Sequence, residues 1–186
     1  PELRVERWQG FIFVTESSTQ VSLRDYMGAE VYDRFARWRL DECYTALWVG
    51  KVINANWKAV SEAFMEAWHS IVTHPQILPY TGDANTRYSM WGDHANLALT
   101  PFGLPSPHLA ADNLSEDDII AAFSRTSGRS ASLEGRKLNE GETARKAMAE
   151  INRANFLDAL GYDSAGISDS EMLDAFTYNI FPNLSP

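Results

Sequence analysis

The sequence holds a single cysteine, Cys43, in 186 residues. One thiol excludes an intramolecular disulfide, and it excludes from this chain any cysteine-held zinc or iron–sulfur centre, which needs two to four thiolates. A metal here must be held by histidines and carboxylates. Basic charge is also scarce, with 16 Lys+Arg against 25 Asp+Glu and a net charge of −9. Nucleic-acid backbones bind through Lys and Arg that neutralise phosphates, and no basic cluster compensates locally, so nucleic acid is not an expected partner. No stretch approaches the roughly 18–20 uninterrupted apolar residues of a membrane span, and Pro1-Glu2-Leu3-Arg4 lacks the basic-then-apolar order of a signal peptide. The expected location is cytoplasmic, with no membrane partner. Neither a glycine-rich phosphate loop nor a nucleophile elbow is present. What remains is a globular composition, 45% apolar and 22% charged, which suits a packed core rather than a disordered chain. No repeat or low-complexity linker divides it, so a single unit over 1–186 is expected.

Along the chain, Trp8 to Val14 is aromatic and β-branched and reads as a strand. Ser22 with Asp25 three residues on reads as a helix N-terminus, followed by Leu23, Tyr26, Met27, Val31 and Phe35 at helical spacing. Tyr44 to Asn54 again reads as a strand. Asn56 to Val72 predicts a helix, because Trp57, Val60, Phe64, Ala67, Trp68 and Ile71 repeat at three and four. That helix must end near Thr73, since Pro75 biases His74 away from α geometry. Thr86 to Thr100 reads as one long strand, Ser115 to Ser124 and Gly141 to Leu160 as helices, and Ala175 to Phe181 as a last strand. Ser124 to Asn139 is Ser/Gly/Arg-rich and expected to be exposed. Strands and long helices mixed without βαβ alternation predict an α+β fold with an antiparallel sheet.

The chemistry gathers around the Asn56 helix. Glu62, Glu66 and His69 lie four and three apart, on one face. His74 lies five beyond His69, and two helical residues at that spacing stand about 140° apart, too far round to share an ion. Pro75 removes the difficulty by taking His74 out of the helix, so that a helical His69 and a loop His74 can converge. Two histidines so placed suit a site completed by a distant carboxylate, an arrangement that leaves positions open on ferrous iron. The plainer reading is that both are surface or capping residues and that the carboxylates are a solvated face. His94 reads as a strand histidine bonded to a neighbour, and His108 as a loop residue. Asp158, Asp163, Asp169 and Asp174 read as caps and turn residues.

The run Asn56-Trp57-Lys58, then Glu62-Ala63-Phe64-Met65-Glu66-Ala67-Trp68-His69, then Ser70-Ile71-Val72-Thr73-His74-Pro75, resembles the iron-binding segment of the large (α) subunits of Rieske-type aromatic-ring-hydroxylating oxygenases. Glu6 to Val14 resembles the strand that begins their catalytic domain, and Tyr178 to Asn183 a later core strand. The resemblance implies that His69 and His74 ligate a mononuclear Fe(II). It implies for Glu66 the catalytic role of the acid that bridges toward a neighbouring subunit's Rieske cluster. Phe64, Met65 and Trp68 flank these implied ligands and are expected as pocket walls, with plain core as the alternative. Ala63 stands where the family often has Asn, and Trp68 where Tyr is common. The family's third ligand, an Asp, lies downstream of the last strand matched, and its cluster-binding Cys/His motifs precede the catalytic domain. The expectation is therefore a catalytic domain incomplete at its C-terminus, its Rieske 2Fe-2S cluster in a domain absent from this chain, and inactive as this fragment alone.

The resemblance further implies a curved sheet gripping a long helix, the helix-grip or START-like layout. It implies hydroxylation of an aromatic substrate with dioxygen, ferredoxin and reductase as electron donors, and a homotrimer or an α3β3 assembly. Two other readings stand beside it. One is a non-catalytic helix-grip domain that binds a hydrophobic ligand without metal; the other is a zinc hydrolase.

Overall fold

The computed structural model describes residues 2–109, 114–126 and 136–185. By contacts the chain forms two compact units, one of Pro1–Val60, Ser89–Leu97 and Tyr178–Pro186, the other of Ser61–Tyr88 and Ala98–Thr177.

In the first unit, β1 (Arg4–Trp8) and β2 (Phe11–Thr15) form an antiparallel hairpin that pairs Arg4 with Thr15 and Trp8 with Phe11. The single strand expected over Trp8 to Val14 is thus corrected. Gln9 and Gly10 take positive φ angles of 49° and 86°, the two-residue turn whose twist matches that of the flanking strands. Trp8 is buried and its indole N–H donates to the Tyr32 carbonyl at 2.9 Å. Phe35 meets its ring edge-on at 5.1 Å.

The helix after Ser22 is realised as α1 (Leu23–Met27) and α2 (Ala29–Arg34), separated at Gly28 with φ 83°. The Ser22 hydroxyl accepts the Asp25 N–H at 3.1 Å, satisfying one of the donors a helix start leaves free. Leu23, Met27, Val31 and Phe35 are all buried despite the break. Tyr44 to Asn54, expected as a strand, has no regular secondary structure. Its composition favours a strand, but strand formation needs a pairing partner, and Trp48 is 86% exposed.

The long strand expected over Thr86 to Thr100 is also corrected to a hairpin, β3 (Arg87–Trp91) and β4 (Ala95–Thr100), turning at Gly92 with φ 57°. With β5 (Ala175–Ile180) these form a sheet ordered β3-β4-β5.

The second unit is mainly helical. In α5 (Glu116–Thr126), Ile119, Ile120, Ala122 and Phe123 are buried, and Phe123 meets Tyr80 edge-on at 5.2 Å. α6 (Ala144–Leu160) starts on the Thr143 side chain and stops at Gly161, which is left-handed at φ 63°, as its sequence predicts. α7 (Asp169–Leu173) opens with a reciprocal Ser168/Glu171 cap and packs against α6.

A clamp joins these elements. Arg145 on α6 grips Asp174 through two contacts of 2.5 and 2.9 Å. The Phe102 N–H and the Ser170 hydroxyl also donate to Asp174, at 3.0 and 2.6 Å. Gly103 has φ +76°, and a Cβ there would sit 2.7 Å from the Arg145 Cα. Only glycine fits that approach.

The fold class is α+β, as expected. No helix among the described residues is long and apolar enough to cross a membrane. Of the segment expected to be exposed, residues 127–135 lie outside the described residues.

Candidate metal centre

The helix expected over Asn56 to Val72 is two helices, α3 (Trp57–Ala63) and α4 (Ser70–Thr73). Where α3 ends, Phe64 N–H bonds the Ser61 carbonyl at 3.2 Å and Met65 N–H the Glu62 carbonyl at 2.8 Å, three-residue turns in place of helical bonds. In a continuous helix the His69 N–H would bond the Met65 carbonyl; instead it donates to Glu66 Oε2 at 3.1 Å. A side chain thus competes with the backbone for a helix donor. The apolar stripe offers no counterweight, because none of the α3 residues is buried.

The same carboxylate holds the histidine ring. Glu66 Oε1 lies 2.6 Å from His69 Nδ1. Burial pushes the Glu66 carboxyl up, but the hydrogen bond from the His69 ring and the backbone N–H groups of His69 and Trp68 outweigh it, and the group is held below the usual glutamate range. A neutral imidazole that gives its Nδ1–H to this carboxylate carries its lone pair on Nε2, the nitrogen left to face a ligand.

His74 leaves the helix as Pro75 requires, with φ −127° and ψ 49°. Its N–H donates to the Ser70 carbonyl at 3.0 Å, and its own carbonyl accepts the Ile77 N–H at 3.0 Å. The two imidazoles stand 5.2 Å apart, centre to centre, at 77°. Metal–nitrogen bonds of about 2.1 Å put each ring centre about 3.2 Å from an ion, so two ligands at 90–110° have centres about 4.5–5.3 Å apart. The observed separation of 5.2 Å falls within that range. Among the described residues no group of three or more His, Cys, Asp or Glu is placed to hold a metal ion.

The other singled-out residues fall elsewhere. Glu62 stays exposed on α3. Of the three proposed pocket residues, Met65 is half-buried, Phe64 is 64% exposed and Trp68 72% exposed. A cavity of about 840 Å³ in the first unit is walled by β2, Tyr26, His94 and Phe181 to Leu184, and none of those three residues lines it. His94 lies in the turn before β4 rather than in a strand, stacked on Tyr26 at 3.9 Å. Asp163 makes a turn by accepting the Ala165 N–H, Asp169 pairs with Arg153, and Asp174 belongs to the α6 clamp. His108 is a loop residue, but it faces the buried carboxylate of Asp83, a pairing that no spacing in the sequence announces.

Searches of curated proteins and of solved structures gave no match. A family described as "ring hydroxylating alpha subunit (catalytic domain)" matches residues 29–185. The match takes in every element from α2 to β5, including Glu66, His69 and His74. The chain, by that match over most of its length, belongs to the catalytic-domain family of ring-hydroxylating oxygenase alpha subunits.

Proposed function

We propose that this chain is the iron-bearing part of a terminal oxygenase that hydroxylates an aromatic substrate with dioxygen. The observation that carries the reading is the convergence of His69 and His74, with His69 held by Glu66 at 2.6 Å. His69 through Nε2 and His74 through one ring nitrogen would hold the ion, and a carboxylate from outside the described residues would complete the site. A ferrous ion bound there supplies redox chemistry with dioxygen that protein side chains lack.

The protein's own part is positioning. Glu66 keeps the proton on His69 Nδ1 and so keeps Nε2 aimed and basic. As an ionised carboxylate beside a ligand, it is also the group through which a donor domain would be coupled. Phe64, Met65 and Trp68 offer apolar surface next to the ligands, the kind that takes a flat aromatic ring and excludes water. The partners in this reading are a Rieske 2Fe-2S domain, ferredoxin and reductase, in a homotrimer or an α3β3 assembly.

The test is ferrous iron binding by the protein, read by the high-spin electron paramagnetic resonance signal of its nitric oxide adduct. His69→Ala and His74→Ala should each abolish the signal while leaving the circular dichroism spectrum unchanged. Full iron occupancy in either variant would overturn the reading, as would aromatic-ligand binding indifferent to both substitutions and to chelator.

A further inference from the structure

Away from the two histidines, the second unit buries a carboxyl group one of whose oxygens has no hydrogen-bonding partner. The Asp83 side chain is 3% exposed, and its Oδ1 has no hydrogen bond. Two residues earlier, Thr81 is as deeply buried, and its hydroxyl also has no partner. A buried carboxylate left this way is costly unless a counter-charge or a ligand satisfies it.

A basic side chain that faces Asp83 is His108, on the proline-rich loop. Its Nε2 lies 3.8 Å from Asp83 Oδ2, too long for a hydrogen bond. The local chain is firmly set. Gly82 N–H donates to the Pro101 carbonyl, Ser106 N–H to the Leu78 carbonyl, and His108 N–H to the Ser106 hydroxyl, at 2.9, 2.8 and 3.1 Å. The loop therefore holds His108 facing the carboxylate by backbone bonds that do not depend on the Asp83–His108 contact.

We propose that Asp83 and His108 form a second metal site, which takes a divalent first-row transition ion through one carboxylate oxygen and one imidazole nitrogen. Two donors bound at about 2.1 Å stand about 3.4 Å apart at the tetrahedral angle, so closing the observed gap by about 0.4 Å seats an ion between them. His108 is the side that moves, since its side chain is 40% exposed while Asp83 is enclosed. The same exposure leaves room for water in the remaining positions. An oxygen–nitrogen pair of this kind suits zinc, cobalt or nickel rather than calcium, which gathers six to eight oxygens.

The test separates this site from the first. Cobalt(II) is titrated into the His69→Ala/His74→Ala protein and followed by its visible absorption and by isothermal calorimetry. One ion per chain is expected. His108→Ala added to that background should remove the binding, with an unchanged circular dichroism spectrum, and Asp83→Asn should weaken it at least tenfold. No cobalt bound in the His69→Ala/His74→Ala protein, or binding untouched by His108→Ala, would overturn the proposal. Because both proteins lack the first pair, the result does not depend on the oxygenase reading.

Discussion

Replacing Arg145 by Met should be among the most damaging changes in the helical unit. Asp174 is only 4% exposed, and four donors reach it: both Arg145 nitrogens, the Phe102 N–H and the Ser170 hydroxyl. Arg145→Met removes two of the four and the only positive charge among them. Two unit charges about 4 Å apart attract by about 4 kcal/mol at an effective dielectric near 20. Breaking buried pairs by removing one partner costs about 3–5 kcal/mol, in agreement. Because Arg145 is 27% exposed, water relieves part of this, and a loss of about 3 kcal/mol is expected. For a chain of this size that lowers the melting temperature by about 6–12 °C.

The two partners should not be equivalent. Asp174→Asn leaves Arg145 with the Phe102 carbonyl at 2.7 Å and access to water, so it should cost less than Arg145→Met. Filling both positions with apolar residues, Arg145→Met/Asp174→Leu, should recover part of the loss, since no buried charge remains. Urea unfolding followed by tryptophan fluorescence measures all three. A cost under about 1 kcal/mol for Arg145→Met, or a larger cost for Asp174→Asn, would refute the reasoning.

Glu66→Ala should weaken ferrous iron binding by about 10–100-fold without abolishing it, because the histidine remains but loses the partner that orients it; competitive chelator titration reads this. Gly103→Ala should destabilise by about 1–3 kcal/mol, since it combines a left-handed backbone with a clash against Arg145, and a thermal melt would show it. Asp118 exchanges hydrogen bonds with Ser115 at the start of α5, and the Ser115 bonds hold its carboxyl below the usual aspartate range. Its stabilising effect is therefore full above the unfolded-state value near 3.9 and is lost as pH falls through the lower folded-state value. Ser115→Ala should accordingly lower the urea midpoint more at pH 6 than at the acid end, where only the loss of the bond from the Asp118 N–H remains; a pH-independent difference would count against this.

The parts of the fold legible in the sequence are those decided locally. Gly161 stops α6 because a left-handed residue ends a helix, and Ser22 starts α1 because its hydroxyl meets a free N–H. Pro75 takes His74 out of the helix for a reason that acts between adjacent residues. The misread segments depended on something further away or on a competition between close alternatives. Tyr44 to Asn54 has the composition of a strand and no partner to pair with. Trp8 to Val14 and Thr86 to Thr100 each hid a turn inside a strand-forming run, where one or two residues at positive φ reverse the chain. The break after α3 comes where Phe64 and Met65 make three-residue turns, and at His69 a carboxylate takes the N–H that a continuous helix would give to a carbonyl. The histidine pair of the candidate site was visible from spacing. The Asp83–His108 pairing was not, because 25 residues of chain and a set of loop bonds bring those groups together.

The break between α3 and α4 affects how the histidine pair comes to exist. Each hydrogen bond that orients it, from His69 to Glu66, Thr73 to His69, His74 to Ser70 and Ile77 to His74, closes within four residues. Contacts so short in sequence cost little loop-closure entropy and form on the timescale of a single helical turn. The geometry of the pair is therefore available early in folding, ahead of the clamp that ties Arg145 and Phe102 to Asp174, whose bonds join residues 29 or more apart. Under the proposed function, a ferrous ion arriving during folding would meet both histidines already in register.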